Sequence, residues 1–202
     1  MPCTTTGGNR PERSGTIRIR PIAEDDWETI VALESDAYTE LGLCEGRTAL
    51  RSRADASPGT CFVLEIDGEP AGYLLALPYP AGRYPDLEQP EESTFSSRNL
   101  HLHDIVIAPA HRRLGRASHL VAHLYRTALS QGYEQMSLVA VGGSEPFWSA
   151  RGFTVDPSAE ACDTYQAGAV YMSRSITAIG TPASEQAASP APAVPFPLPE
   201  VS

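Results

Sequence analysis

IVIAPAHRRLGRA, the sequence of residues 105–117, contains the transition from an apolar strand to a long helix. Its first half is a short apolar run that ends at Pro109, which is typical of a buried strand. Gly115 then opens a segment whose apolar residues recur at helical spacing. These residues are Ala117, Leu120, Val121, Leu124 and Ala128. The stretch therefore predicts a buried strand, a turn and an amphipathic helix, in that order.

The turn between this strand and helix has the features of an anion-binding site. Backbone N–H groups at a helix N-terminus lack partners, and the helix dipole favours negative charge there. The small residues Gly115 and Ala117 would let an anion approach that backbone closely. Arg112, Arg113 and Arg116 add positive charge in a chain of formal net charge −10. The pattern predicts a pyrophosphate site. An ordinary turn with solvated arginines would explain the charges but not the small residues.

The remaining sequence predicts one folded domain, residues 16–176, between two disordered tails. Residues 1–15 are small and polar, and residues 177–202 are rich in Pro and Ala, so neither end has enough apolar sequence to order itself. Asp67 and Gly68 predict a two-residue hairpin turn. Strands are predicted at 16–22, 61–66, 70–77, 100–107, 134–141, 153–155 and 168–176. Helices are predicted at 23–38, 46–56, 115–131 and 144–151, with a long loop at 78–98.

The composition argues against several classes of protein. No stretch approaches the roughly 18 apolar residues of a membrane helix, and the N-terminus lacks a secretory signal, so a cytoplasmic location without membrane contact is expected. The net charge of −10 argues against a nucleic-acid partner. The cysteines are scattered and lie at no metal-ligand spacing to a histidine, so no metal is predicted. They are Cys3, Cys44, Cys61 and Cys162.

Arg112, Gly115 and Ala117 match the (Q/R)-x-x-G-x-(G/A) signature of the GNAT acyltransferase superfamily, between a strand and a long helix as in that family. The hairpin before the motif and the FWSARGF sequence at 147–153 extend the resemblance over most of the folded part. The resemblance implies an α/β (α+β) GNAT fold. Its central mixed, mostly antiparallel β-sheet is flanked by helices, and a splayed pair of parallel strands holds the thioester arm.

The same resemblance implies acetyl-CoA or another acyl-CoA as cosubstrate. The backbone of residues 105–107 would bond the pantetheine arm like an added strand, and the amides of residues 113–117 would hold the pyrophosphate. The predicted donor-binding residues are Ile105, Val106, Ile107, Arg112, Arg113, Leu114, Gly115, Arg116, Ala117, Ser118, Phe147 and Trp148.

Candidate proton acceptors lie directly before the motif. Strand alternation places His101 and His103 on one face and Asp104 on the other, unless a bulge intervenes. Histidine is the natural base at neutral pH, and the Leu-His-Asp run resembles a subset of the superfamily, so His103 paired with Asp104 is the predicted catalytic pair. The alternative is that both histidines are exposed edge positions of a strand.

The tyrosine that would serve as general acid in many relatives is replaced in this sequence. Many relatives have a tyrosine five residues before the phenylalanine of the GF step, but Trp148 occupies that position here, and an indole cannot protonate a thiolate. Tyr165 and Tyr171 are the predicted substitutes. Packing of these tyrosines, with protonation of the thiolate by water, is the alternative.

The resemblance implies transfer of an acetyl or other short acyl group to a primary amine of a small molecule. The loop at 78–98 bears acidic residues, which would suit a cationic amine if the loop covers the acceptor; a solvated loop would look the same. Two other functions stay open: an acyl carrier protein as donor, or acyl-CoA binding without turnover. A monomer or homodimer is expected.

Overall fold

The computed structural model describes residues 15–159, 165 and 167–176. Except for Gly15, the predicted tails at residues 1–15 and 177–202 lie outside these residues, as do Cys3 and Cys162. Within the described part of the chain, no helix is long and apolar enough to span a membrane. The same residues contain no group of three or more histidine, cysteine or acidic side chains placed to hold a metal ion.

The described chain forms strands and α-helices in the predicted order. The strands are β1 Ile17–Pro21, β2 Phe62–Ile66, β3 Glu69–Pro78, β4 Asn99–Ile107, β5 Gln135–Ala140, β6 Thr154–Val155 and β7 Val170–Ser175. The α-helices are α1 Trp27–Tyr38, α2 Gly46–Ala56, α3 Arg116–Ser130 and α4 Glu145–Ser149. The first residues of the predicted helix at 23–38 form a separate 3-10 turn, Glu24–Asp26.

The strands form one mixed sheet in the order β1-β2-β3-β4-β5-β7-β6. Every neighbouring pair is antiparallel except β4 and β5, which run parallel. This parallel pair is joined only through residues 99–101 and 135–137, and beyond them the strands separate. A mixed, mostly antiparallel sheet with one splayed parallel pair confirms the predicted fold class.

Two apolar clusters cover the two faces of the sheet. The predicted apolar stripe of α3 packs on one face through Leu120, Leu124 and their neighbours. Trp27 and Ile30 of α1 and Leu50 of α2 belong to the second cluster, with alternate residues of β2 and β3. Burial of these stripes stabilises the helices on the sheet, at about 1.5–3 kcal/mol for each large side chain fully removed from water.

A β-bulge in β4 changes the direction of its polar side chains. Leu75 of β3 lies opposite Asp104, and Ala76 lies opposite Leu102, so His103 is an extra residue on β4. A bulge of this kind breaks the alternation of faces along a strand. As a result, Asp104 contacts Tyr38 of α1, and His103 contacts Arg53 of α2. The prediction that these two residues point to opposite faces is therefore wrong.

Candidate active site

A cleft of about 670 Å³ reaches from the N-terminus of α3, past the ends of β4 and β5, to the C-terminal end of α1. Most of the predicted site residues line it. They are His103, Asp104, Ile105, Ile107, Arg112, Arg113, Gly115, Arg116, Ala117, Ser118, Phe147, Trp148 and Tyr165. Val106 is buried against the α1 and α2 cluster instead, and the side chain of Leu114 is exposed to solvent.

The N-terminus of α3 has the geometry that an anion site requires. Gly115 is the N-cap residue and has a φ of 74°, a left-handed conformation that glycine adopts without steric cost. His119 donates the first backbone bond, to the carbonyl of Gly115. The amides of residues 116–118 therefore have no partner inside the helix. Arg112 is held beside them by a 2.9 Å bond from its Nε to the carbonyl of Ile107.

Arg151 is a second source of positive charge that the sequence analysis missed. It lines the cleft, and its guanidinium lies 3.4 Å from the ring centroid of Phe147. One of its N–H groups donates to the hydroxyl of Ser118, in the first turn of α3. The residue stands inside the FWSARGF sequence, but nothing local in that sequence shows that it turns back to the helix N-terminus.

The edge of β4 that faces β5 is open along most of its length. Beyond His101 this edge has no strand partner among the described residues. Along this open stretch of β4, the apolar side chains of Ile105 and Ile107 line the cleft. Unpaired backbone groups beside an apolar wall are what an extended ligand needs in order to bind like an added strand.

Asp104 is buried and both of its carboxylate oxygens are occupied. The hydroxyl of Tyr38 donates to Oδ1 over 2.7 Å, and the hydroxyl of Tyr73 donates to Oδ2. Burial raises the pKa of Asp104 above its ordinary value, although the two tyrosine bonds work in the opposite direction. Burial also raises the pKa of both tyrosines, so that they stay protonated as donors. Asp104 is thus a satisfied acceptor within a fixed network.

His103 lines the cleft and keeps one ring nitrogen that makes no hydrogen bond to the described residues. Its Nε2 lies 2.6 Å from Oε1 of Glu45 and 2.9 Å from Nε of Arg53. Its Nδ1 is buried and has no hydrogen-bond partner among the described residues. The side chain is only 1% exposed, so the alternative that His103 is an exposed edge residue is wrong, as it is for the fully buried His101.

Glu45 determines which nitrogen of His103 carries the proton. Burial works to raise the pKa of Glu45, but His103 and Arg53 outweigh it and hold the pKa below its ordinary value. An ionised carboxylate only accepts hydrogen bonds, so its 2.6 Å contact with Nε2 requires the proton on that nitrogen. The Nε–H of Arg53 then has Oε2 of Glu45 as its acceptor, at 3.0 Å. In the neutral imidazole, Nδ1 therefore keeps a lone pair that can take a proton.

Arg53 connects this cluster to the loop at 78–98. The residue is fully buried and is paired with Glu45 at 2.6 Å and with Glu91 at 3.2 Å. It also donates to the backbone carbonyls of Asp86 and Gln89, at 2.6 and 3.1 Å. The sequence indicates that Arg53 needs a charged partner. Residue 53 falls on the apolar stripe of α2, where a charged side chain is costly unless it is paired.

Tyr165 and Tyr171, the predicted general acids, lie in different places. Tyr165 lines the cleft and packs edge-on against Tyr84, with ring centroids 5.3 Å apart. Tyr171 stacks on His101, and its hydroxyl accepts a 3.0 Å bond from the amide of Gly82. Because Tyr171 does not line the cleft, the geometry favours Tyr165 of the two.

His101 belongs to a separate buried network behind the cleft. Its Nδ1 lies 3.0 Å from the hydroxyl of Ser137, which also accepts a bond from Asn99. Burial holds the pKa of His101 well below its ordinary value, with His103 and Arg53 adding to the effect. A neutral, enclosed imidazole of this kind joins β4 to β5 at the point where the two strands are still paired.

Comparisons with known proteins agree with this fold. A family model described as Acetyltransferase (GNAT) family matches residues 27–153. No curated protein sequence matches the chain. Among solved structures, Ard1 from Thermoplasma volcanium is similar with a TM-score of 0.62 and 17% identity, over 80% of this chain and 99% of that one. The loading GNATL domain of CurA from Lyngbya majuscula has a TM-score of 0.64 and 16% identity, over 80% and 98%.

The GphF GNAT-like decarboxylase, solved in complex with isobutyryl-CoA, is similar with a TM-score of 0.60 and 21% identity, over 79% of this chain and all (100%) of that one. Identities this low show a shared fold and no more. The family model carries the assignment, because it spans the segment from α1 through the predicted signature to Phe153. The chain belongs to the acetyltransferase (GNAT) family and is an acyltransferase.

Proposed function

We propose that this protein transfers an acetyl or other short acyl group from a CoA thioester to a primary amine of a small molecule, by direct attack within a ternary complex. One observation carries the proposal. A single cleft joins the anion site at α3, the open edge of β4 and Nδ1 of His103, which has no partner among the described residues. A donor, its reactive carbon and a base can therefore share one continuous space.

The donor end of the cleft suits the charge and length of CoA. The amides of residues 116–118 and the guanidinium groups of Arg112, Arg116 and Arg151 would meet the pyrophosphate. The open edge of β4 at residues 105–107 would bond the pantetheine arm. The binding of isobutyryl-CoA by GphF, a protein of the same fold, supports a CoA thioester as the donor.

The acceptor end suits proton removal from an amine. The ammonium group must lose a proton before its nitrogen can attack, and Nδ1 of His103 would take that proton, directly or through water. The neutral nitrogen then forms a bond to the thioester carbon and releases its second proton to water, and the C–S bond breaks as the tetrahedral intermediate collapses. Glu45 would stabilise the imidazolium that forms. The thiolate leaves with a proton from Tyr165 or from water.

A carrier-protein thioester is a second candidate donor. Leu114 is 56% exposed and lies in the sequence between Arg113 and Arg116, which line the cleft. An exposed leucine flanked by arginines suits an acidic partner surface. Transfer from a pantetheinyl-carrier thioester, with none from the matching CoA thioester, would establish this donor instead.

Binding and turnover of acetyl-CoA test the proposed function directly. Acetyl-CoA at about 100 times its Kd should stabilise the fold by about 2.7 kcal/mol, because it binds the folded state alone. Thermal unfolding measures that gain as a rise in Tm. Incubation with a mixture of amines should release CoA thiol and yield N-acetyl products detectable by mass spectrometry. Binding without thiol release in any mixture would leave an acyl-CoA-binding module and contradict the proposal.

Glu45→Gln should lower kcat on the order of tenfold or more, a part of the 10²–10⁴-fold that general base catalysis contributes. A neutral amide stabilises the imidazolium of His103 less than a carboxylate does, and it can also present N–H to Nε2. KM for acetyl-CoA should change little, because the hydrogen bonds of the Glu45 side chain go to Arg53 and His103 and, among the described residues, to none of the predicted donor-binding segment.

Glu91→Gln is the matched control for this prediction. Like Glu45→Gln, it removes a carboxylate that pairs with Arg53. Among the described residues, however, Glu91 makes no hydrogen bond to His103. Both variants should lower Tm, and only Glu45→Gln should lower kcat strongly. Equal loss of kcat in both would mean that Glu45 acts through Arg53 and does not position His103.

A further inference from the structure

Three leucines line the cleft and belong to neither of the two apolar clusters. Leu41 and Leu43 follow α1, and Leu87 lies in the loop at 78–98. Neither core cluster includes any of the three. Leu41 is 38% exposed, among the few large apolar side chains that the described part leaves open to solvent. These three residues, called here the leucine wall, face the same space as His103 and Glu45.

The loop is held so that it presents Leu87 to the cleft. Arg53 bonds the carbonyls of Asp86 and Gln89, on either side of Leu87. The amide of Glu91 donates to the hydroxyl of Ser52 over 2.8 Å, which attaches the loop to α2 a second time. Because these anchors rest on buried groups of α2, the position of Leu87 is set by the fold.

The acidic residues of this loop are not among the described residues that line the cleft. Asp86, Glu88 and Glu92 are exposed, and Glu91 is turned inward and paired with Arg53. Of the acidic residues that the structure describes, Glu45 and Asp104 line the cleft. Both already accept hydrogen bonds from neighbouring side chains. Within the described residues, the acidic-lid interpretation of the sequence has no support.

From the leucine wall and these occupied carboxylates we infer that the acyl acceptor is a monoamine carried on an apolar alkyl or arylalkyl body. The inference rests on the proposed function. The amine nitrogen lies at Nδ1 of His103, and its apolar body lies against Leu41, Leu43 and Leu87. A second ammonium group on the body would meet the leucine wall, because the two carboxylates that line the cleft among the described residues, Glu45 and Asp104, already accept hydrogen bonds from other side chains.

A homologous series of amines measures the apolar contact. With the full chain and saturating acetyl-CoA, kcat/KM should rise from propylamine through butylamine to hexylamine. Each buried methylene contributes about 0.8 kcal/mol, which corresponds to about fourfold per methylene while the wall still covers the chain. A flat series, or a decrease with length, would overturn the inference.

Hexylamine and 1,6-diaminohexane are a matched pair, because they differ only in a second ammonium group at the same length. Hexylamine should have a kcat/KM higher by roughly tenfold or more, since an unpaired charge against apolar side chains is unfavourable. Equal values, or a preference for the diamine, would overturn the inference.

Leu41→Asp should reverse this preference by adding a carboxylate to the wall at an exposed position that the fold tolerates. The ratio of the two kcat/KM values should fall by about tenfold or more towards the diamine. Leu87→Asp should act in the same direction. Leu129→Asp is the control, because Leu129 is an exposed leucine of α3 outside the cleft lining. An unchanged ratio in both wall variants, with the acetyl-CoA-induced rise in Tm intact, would overturn the inference.

Failure of the inference can be told apart from failure of the proposed function. Efficient acetylation of diamines or strongly polar amines, with poor use of hexylamine, overturns the acceptor class and leaves amine acylation standing. Binding of acetyl-CoA without acetylation of any amine overturns the proposed function, and the inference with it.

Discussion

Replacing His103 with alanine is expected to lower kcat for amine acylation by about 10²–10⁴-fold, the usual contribution of a general base. The amine reaches the cleft mainly as ammonium, and Nδ1 of His103 is a buried ring nitrogen of the cleft that has no partner among the described residues. KM for acetyl-CoA should remain within about threefold of the parent value, because the donor end uses the backbone of α3 and β4. Single-turnover acyl transfer and equilibrium binding of acetyl-CoA measure the two effects separately.

Two further measurements separate a chemical role of His103 from a structural one. Added imidazole should restore part of the activity of His103→Ala, because it can occupy the space of the lost ring and accept the proton. His119→Ala is the control, since His119 is an exposed histidine of α3 outside the cleft lining. Full activity of His103→Ala would contradict the assignment and direct attention to Asp104. Loss of activity without any rescue by imidazole would favour a structural role.

Gly115→Val is expected to weaken binding of acetyl-CoA by about 10- to 100-fold. Hydrogen bonds to a charged group contribute about 1.5–3 kcal/mol each, and the substitution should disturb at least one such bond at the amides of residues 116–118. No atom of the described residues lies within 4 Å of a Cβ built on Gly115, so the added side chain would occupy space open to the ligand. Its φ of 74° is also unfavourable for a β-branched residue. Isothermal titration calorimetry gives the change in Kd.

Gly132→Val is the matched control, at the other end of α3. Gly132 also has a positive φ, 80°, and a Cβ built on it likewise meets no atom within 4 Å in the part of the chain that the structure describes. Both variants should lower the Tm of the unliganded protein through backbone strain, and only Gly115→Val should weaken acetyl-CoA. Parent-like binding by Gly115→Val, or equal weakening in the two variants, would rule out the anion site at α3.

The sequence by itself determined the parts of this protein that depend on near neighbours along the chain. The apolar stripe of α3 is visible in the sequence because helical packing repeats every three to four residues. Asp67 and Gly68 have φ values of 55° and 91° in the structure, as a tight hairpin turn requires. The segment at 105–117 predicted both the strand-to-helix transition and the helix N-terminus. Backbone conformation and local residue spacing were sufficient for each of these.

Only the tertiary structure decided which side chains meet in the cleft. Glu45 contacts His103 from 58 positions away, and Arg53 contacts it from 50. The bulge at His103 depends on how β3 pairs with β4, and that pairing turned Asp104 to the same side as His103. Leu87 reaches the acceptor end because a buried arginine of α2 holds its loop. Such contacts depend on strand register and on the path of loops. Packing across the whole domain sets both, and it produces no regular residue spacing that could be recognised in the sequence.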